Sequence, residues 1–104
     1  MQRIAFIMKL LAGKEEEYRR RHDAIWPELS ALLHDSGIRN YSIFLEEHTN
    51  QLFAYLEIDE PAKLDRLPEQ PVMQRWWTYM KDIMDTNPDH SPVSIPLKEV
   101  FYLP

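Results

Sequence analysis

Three side chains suited to proton transfer or to stacking recur at four-residue spacing within the stretch Glu15–Leu29: Tyr18, His22 and Trp26. Residues four apart lie one turn above another on the same side of a helix, so the three would form one stripe. Imidazole has an unperturbed pKa of about 6.5 and both gives and takes protons near neutral pH. His22 is therefore a candidate general acid–base, although a core histidine satisfied by a backbone carbonyl also fits this stripe.

A second group of aromatic residues lies elsewhere in the chain. Trp76 and Trp77 are adjacent, so on a helix they point about 100° apart, and one can enter the core while the other lines a pocket. Indole faces are good platforms for the apolar C–H edges of sugars. Tyr41 adds a phenol that can donate a hydrogen bond to a hydroxyl-rich ligand. Two core tryptophans are the alternative interpretation of the pair.

The other three histidines do not indicate a metal site. His34 suits the C-terminal end of a helix, and we expect His48, in a turn, and His90, in a proline-rich loop, to be solvated. The chain has no HxH or HExxH spacing, no cysteine and only two glycines. The sequence therefore predicts no disulfide, no glycine-rich phosphate loop, no metal and no cofactor.

Length and charge restrict the class of protein. The 104 residues are 44% hydrophobic and 28% charged, which suits one globular domain over residues 1–104. The net charge of −5 disfavours nucleic acid, which needs a positive field. No apolar run reaches the roughly 20 residues of a membrane span, and Lys9 interrupts the apolar start, which lacks a cleavage site. We expect a cytoplasmic protein with neither a membrane nor a nucleic-acid partner.

The elements that must position these residues begin with strands. Alternating apolar residues predict strands over residues 3–10, 39–46 and 52–58, and the C-terminal segment "KEVFYLP" reads as a last strand. Apolar residues such as Phe44 and Phe53 occur on the face opposite to the one that helices would cover. An apolar second face requires a partner, so we predict a homodimer with the two sheets packed face to face.

Two long helices alternate with these strands. The first is predicted from about Lys14 to Asp35, with a kink or break near Trp26 because Pro27 cannot donate a backbone hydrogen bond. The second begins at Pro71, after a short helical segment that opens at Pro61. The order strand, helix, strand, strand, helix, strand is that of the ferredoxin-like β-α-β-β-α-β fold, an α+β class with an antiparallel sheet and both helices on one face.

The first helix also carries a run of charges. Glu15, Glu16 and Glu17 stand four residues before Arg19, Arg20 and Arg21. Glutamate four residues ahead of arginine is the favoured order for ion pairs along a helix. We therefore interpret the three arginines as part of a solvated helix face that is neutralised by its own carboxylates.

The chain resembles the L-rhamnose mutarotase family from end to end. Five segments carry the resemblance: "EYRRRHDAIWPEL", "NYSIFL", "QRWWTYM", "NPDHSPVS" and "EVFYLP". The resemblance implies a dimeric ferredoxin-like α/β barrel and an isomerase that interconverts the α and β anomers of L-rhamnose, or a related deoxysugar, without a cofactor. In that family the histidine of the first segment is the proton donor, which falls on His22. The residues that contact the sugar fall on Tyr18, Tyr41, Trp76 and Trp77.

Opening a hemiacetal ring requires a proton on the ring oxygen and the loss of one from the anomeric hydroxyl. We expect the imidazolium of His22 to protonate the ring oxygen. The sequence does not identify the base; water, or a carboxylate of the proline-rich loop such as Asp89, are the options. Two other functions stay open at this point: a cofactor-free monooxygenase of the same dimeric barrel fold, and a non-catalytic sugar-binding dimer.

Overall fold

The computed structural model describes residues 1–104. Four strands form one antiparallel sheet in the order β2-β3-β1-β4: β1 Gln2–Lys9, β2 Ile38–Glu46, β3 Gln51–Ile58 and β4 Ile95–Pro96. The helices are α1 Glu15–Asp23, α2 Pro27–Asp35, a 3-10 helix Pro61–Glu69, and α3 Pro71–Met80. The predicted ferredoxin-like α+β fold is confirmed. None of the helices has the length and apolar character that crossing a membrane requires.

The sheet has a covered face and an open face. On β3 the alternate residues Leu52, Ala54, Leu56 and Ile58 are at most 2% exposed beneath the helices, and we call their side the covered face. On the other side, the open face, one row of apolar side chains crosses all four strands, because Phe44 pairs with Phe53, Phe53 with Ile7, and Ile7 with Ile95. Nothing in the chain packs over this row at Phe44, which is 68% exposed.

A β-bulge in β2 changes which side chains reach the covered face. Arg39 pairs with Glu57 and Ser42 pairs with Tyr55, so β2 takes three steps where β3 takes two. The extra residue is accommodated at Asn40, whose φ is +52°, a value that asparagine tolerates better than most residues. Residues before and after the bulge consequently share a face, although simple alternation would separate Ile38 from Tyr41.

The predicted break in the first long helix is confirmed and divides it into two helices. Helix α1 ends at Asp23, and Trp26 has an extended backbone with ψ of 132°. Pro27 is the first residue of α2, a position where its missing N–H costs nothing because the first N–H groups of a helix have no partner. The chain therefore changes direction immediately after the turn that carries His22.

The predicted C-terminal strand in "KEVFYLP" is wrong. The fourth strand comprises Ile95–Pro96, which pair with Phe6 and Ile7, and the Leu97 N–H donates to the Ala5 carbonyl at 2.9 Å. Residues 98–104 have no strand partner and are exposed. Apolar residues form a strand only where their backbone pairs with a sheet edge, and this segment contacts β1 through the side chains of Glu99 and Tyr102 instead.

The predicted solvated face of charges is correct in part. Glu17 accepts from the Nε of Arg20 at 2.9 Å and from the Nε of Arg21 at 2.7 Å, so one carboxylate binds two arginines. Arg20 is exposed as expected, but Arg21 is buried. The expectation fails for Arg21 because its side chain extends away from α1 toward the end of α3, where Asp82 binds it.

Candidate active site

An open cleft of about 1090 Å³ lies between the helices and the covered face of the sheet. All five residues that the sequence predicts for the site line this cleft: Tyr18, His22, Tyr41, Trp76 and Trp77. A smaller recess of about 70 Å³ is lined by the same five. Helix α1, strand β2 and helix α3 each contribute, so only the folded chain brings these side chains together. Most of the remaining lining residues are apolar.

His22 lies in the last turn of α1 and is half-buried. Its Nδ1 is 3.0 Å from the backbone carbonyl oxygen of Tyr18. Because a carbonyl only accepts, Nδ1 must carry the hydrogen, which leaves the lone pair of the neutral ring on Nε2. The ring is held between two aromatic neighbours: Tyr18 stacks at 4.2 Å between centroids, and Trp76 meets it edge-on at 5.4 Å.

Burial sets the protonation state of this imidazole. Loss of solvent lowers the pKa of His22 below its usual value of 6.5, and the hydrogen bond to the Tyr18 carbonyl opposes that change without cancelling it. His22 is accordingly neutral at neutral pH. The resting group in the cleft is a proton acceptor at Nε2, which becomes a donor once it has accepted a proton.

The two phenols of the site remain protonated. Burial raises the pKa of Tyr18 far above its ordinary value, with a smaller contribution from nearby Tyr41, and burial raises the pKa of Tyr41 to about 12. Part of Tyr41 is exposed, but its hydroxyl group lies deep enough for this effect. Neither phenol is a base at neutral pH, so both offer neutral hydroxyl groups to a ligand.

The tryptophans divide between packing and lining. Trp76 is 6% exposed and belongs to the core, yet it also forms part of the cleft wall, while Trp77 is half-buried. Trp26, the third member of the stripe, is not a wall residue. It packs edge-on against Trp76 at 5.1 Å and stacks on Tyr79 at 5.4 Å. Trp26 thus supports the site from behind.

The proline-rich loop, residues 85–94, reaches the cleft but does not bring Asp89 to it. An oxygen of the Asp89 carboxylate accepts from the backbone N–H and the hydroxyl of Ser91, which lowers the Asp89 pKa. The suggestion that Asp89 is the base is therefore not supported.

The structure separates the other three histidines. His34 and His48 are exposed, as expected. His90 is only partly solvated, because it is half-buried, lines the smaller recess, and has Nδ1 3.2 Å from the Thr78 hydroxyl. The burial of His90 could not be predicted from the sequence, because a loop has no regular alternation of apolar and polar residues. No three histidine, aspartate or glutamate side chains lie close enough together to hold a metal ion.

Comparisons with known proteins agree on one family. The sequence model described as L-rhamnose mutarotase matches residues 3–103. The L-rhamnose mutarotase of Listeria monocytogenes serotype 4b is 52% identical over 103 residues, which is 99% of each chain. The crystal structure of an L-rhamnose mutarotase from Formosa agariphila superposes with a TM-score of 0.93 at 48% identity over 100% of both chains. A Mycobacterium tuberculosis structure, with a TM-score of 0.60 at 13% identity over 97% and 98%, shares the fold alone.

Proposed function

The chain belongs to the L-rhamnose mutarotase family, and we propose that His22 transfers the proton in the reaction that the family name describes. That reaction interconverts the α and β anomers of L-rhamnose, which makes the protein an isomerase. One observation carries the assignment of His22: its Nδ1 is bound to the Tyr18 carbonyl, which leaves Nε2 free on a residue that lines the cleft together with four aromatic residues. The monooxygenase and the non-catalytic sugar-binding dimer have no support among the relatives.

The proton moves between two oxygens on one carbon. Neutral Nε2 of His22 accepts the proton of the anomeric hydroxyl, whose bonding pair becomes the second bond of the aldehyde. The imidazolium then donates this proton to the ring oxygen, which keeps the electron pair of the broken carbon–oxygen bond. Rotation about the adjacent carbon–carbon bond exposes the other aldehyde face, and the reverse steps close the ring. One proton is relocated and none is consumed.

In these steps the imidazole of His22 is first the general base and then the general acid. The expected proton donor and the base that the sequence did not identify are the same side chain in two protonation states. A lowered pKa favours this cycle because the neutral ring, which is the form that accepts the first proton, predominates before substrate binds. A positioned acid–base group of this type contributes about 10²- to 10⁴-fold to rate.

The other four residues hold the sugar. The protonated hydroxyls of Tyr18 and Tyr41 are suited to hydrogen bonding with sugar hydroxyls, because each can donate and accept. Trp76 and Trp77 offer indole surface to the apolar side of the pyranose. The largely apolar lining of the cleft also suits the methyl group that a 6-deoxysugar carries in place of a hydroxymethyl group.

The test is the rate of exchange between the two anomeric proton signals of L-rhamnose, measured by NMR. Protein should accelerate the exchange, and His22→Ala should return it to the rate in buffer alone. His34→Ala is the matched control, since His34 is an exposed histidine outside the cleft, and it should behave like the unsubstituted protein. Full activity in a folded His22→Ala protein would remove His22 from the mechanism.

We also propose that two copies of the chain pack through their open faces to give the dimeric barrel. The support is the apolar row formed by Phe44, Phe53, Ile7 and Ile95. A contiguous apolar row on the surface of a small protein marks a contact site. Because the row crosses the whole sheet, a second copy related by a two-fold axis can present the same row to it.

Sedimentation equilibrium tests this dimer. Phe44→Asp places a charge in the middle of the row and should shift the protein toward monomer. Ser30→Asp adds the same charge at an exposed position of α2 and should leave the association state unchanged. A protein that sediments as a monomer at all concentrations before any substitution would overturn the proposal.

We further propose that the protein binds neither nucleic acid nor a membrane and that it is cytoplasmic. The net charge of −5 disfavours binding to nucleic acid or to an anionic membrane surface. The apolar residues near the start form β1, which pairs with both β3 and β4 inside the sheet. A cytoplasmic location fits these features, and cell fractionation tests it.

A further inference from the structure

The imidazole of His22 has no hydrogen bond outside its own helix. Its Nδ1 bonds to the Tyr18 carbonyl one turn earlier in α1. That bond fixes the ring relative to α1 but leaves open how α1 is rotated and how far it lies from α3, which carries Trp76 and Trp77. No backbone hydrogen bond joins α1 to α3. Contacts between side chains must therefore fix the position of His22 relative to Trp76 and Trp77, which we call the tryptophan wall.

Arg21 makes the hydrogen bonds that cross from α1 to the end of α3. It is the only buried charged residue of the chain, at 8% exposure. Its Nη1 donates to the Tyr79 carbonyl at 2.7 Å and to Asp82 Oδ1 at 2.9 Å, and its Nη2 donates to Asp82 Oδ2 at 3.1 Å. The paired contacts with one carboxylate define the plane of the guanidinium as well as its distance.

The end of α3 has a specific need for such a cation. The last carbonyls of a helix lack intrahelical partners, and that end carries partial negative charge. Helix α3 has no basic residue in its own last turn. Arg21 satisfies the Tyr79 carbonyl from another helix, while Glu17 at 2.7 Å holds its Nε on the α1 side.

The aromatic contacts link this anchor back to His22. The guanidinium carbon of Arg21 lies 4.4 Å from the centre of the Tyr79 ring. Tyr79 packs against Trp76 at 5.6 Å, and Trp76 meets the His22 ring edge-on at 5.4 Å. Adjacent residues on a helix point about 100° apart, so any rotation of α1 displaces Arg21 and His22 together.

We infer that Arg21 is a positioning residue, which fixes the rotation of α1 against α3 and thereby aims Nε2 of His22 at the sugar held by the tryptophan wall. This inference rests on the proposed role of His22. Loss of the anchor should reduce kcat more than it raises KM, because Tyr41, Trp76 and Trp77 lie outside α1 and stay in place while His22 is misaligned. A displacement of about 1 Å in such a group can cost about 10²-fold in rate.

The test compares Arg21→Met, Arg21→Lys and Arg20→Met by NMR anomer exchange, with kcat and KM measured separately and folding checked by thermal unfolding. Arg21→Met keeps much of the side-chain volume without the hydrogen bonds and should lower kcat by about 10- to 100-fold, with KM changed less than about threefold. Arg21→Lys keeps the charge and should recover part of the lost kcat. Arg20→Met is the matched control, because Arg20 is an exposed neighbour that binds the same Glu17, and it should keep the original kcat.

Asp82→Asn provides a second route if Arg21→Met does not fold. Asp82 is largely exposed, and its amide keeps the shape of the carboxylate, so kcat should fall in the same direction by a smaller factor. A folded Arg21→Met or Asp82→Asn protein with unchanged kcat overturns the inference, and so does an increase in KM at constant kcat. These outcomes are distinct from failure of the proposed function, in which the original protein itself would not accelerate exchange.

Discussion

The same strands form both faces of the sheet, but helices cover one face and leave the other exposed. In β3, Leu52 is 2% exposed on the covered face while its neighbour Phe53 lies on the open face and is 37% exposed. Helices close the covered face and leave a cleft in which polar groups lie among apolar walls. The open face carries apolar side chains with no cleft and no helix above them. Strand alternation produces both surfaces, but only the covered one encloses groups able to do chemistry.

The comparison shows that burial changes the pKa values of side chains as well as stabilising the fold. On the covered face, burial lowers the pKa of His22 and raises those of the two site tyrosines. On the open face, Arg3 binds Glu99 at 2.6 Å and lies 3.5 Å from the centre of the Tyr102 ring, where water still reaches the charges. Tyrosines therefore belong to a buried site on the covered face, whereas Tyr102 belongs to a solvated surface on the open face.

The sharpest contrast should appear in folding stability. Leu52→Ala should reduce the free energy of unfolding by about 2–5 kcal/mol, because it opens a cavity in the core. Phe53→Ala on the same strand should cost the isolated monomer about 1 kcal/mol or less, since its ring is partly solvated. Urea denaturation at low protein concentration measures both. Equal losses would contradict the difference between the faces, and a Phe53→Ala loss that appears only at high concentration would reflect dimerisation.

The next largest effect concerns pH. As the pH falls through the lowered pKa of His22, Nε2 becomes protonated and can no longer accept, so kcat/KM should be level near pH 7 and should fall about tenfold per pH unit below that pKa, which lies under 6.5. Stability should change in the same direction, because below about pH 6.5 the unfolded chain binds a proton that the folded state takes up less readily.

The measurement is NMR anomer exchange between pH 4.5 and 8 after subtraction of the buffer rate. His22→Gln should show no exchange above the buffer rate at any pH and serves as the control. A protein-catalysed rate that increases as the pH falls from 7 to 5 would contradict the neutral resting state and make the imidazolium the starting reactant.

A smaller effect is expected for sugar binding. Trp77→Ala removes indole surface from the cleft wall and should weaken binding by about 0.5–1.5 kcal/mol, or roughly 2- to 13-fold in KM. Tyr102→Ala is the matched aromatic change on the open face and should leave KM unaltered. Titration of L-rhamnose in the exchange assay measures both. If Tyr102→Ala also raises KM, the tail of a second copy reaches the cleft and the two faces are not independent.

The smallest effect should come from the ion pair on the open face. In the isolated monomer, measured at low protein concentration, Glu99→Gln breaks the contact with Arg3 between two partly exposed side chains, and such pairs contribute about 0–1 kcal/mol. Thermal unfolding at low and high salt measures the loss, which should shrink further as salt screens the original pair. A larger loss would mean that the pair is desolvated, as it would be inside a dimer interface.

Much of the site followed from local spacing. Tyr18 and His22 are one helical turn apart, which predicted their common direction, and the adjacent Trp76 and Trp77 allowed one ring in the core and the other at a pocket wall. Pro27 predicted the break that ends α1 near the site. Each of these depends on the geometry of a few consecutive residues.

Other features could not be read from spacing. Arg21 has the same local pattern as Arg20, and only the approach of Tyr79 and Asp82 from another helix separates a buried anchor from a surface charge. The C-terminal tail was predicted to be a strand, but it contacts β1 only through side chains, at Glu99 and Tyr102. The bulge at Asn40 brings Ile38 onto the same face as Tyr41, and its position depends on the register between β2 and β3.

The sequence by itself determined the order of the elements, the direction of side chains within each element and the family, because helical and strand periods and family segments are local properties of the chain. The tertiary structure alone decided which arginine is buried, where the fourth strand ends, that His22 is neutral and that its Nε2 is free. Those properties depend on solvent exclusion and on hydrogen bonds, most of them between residues far apart in the chain, and neither exists until the helices close over one face of the sheet.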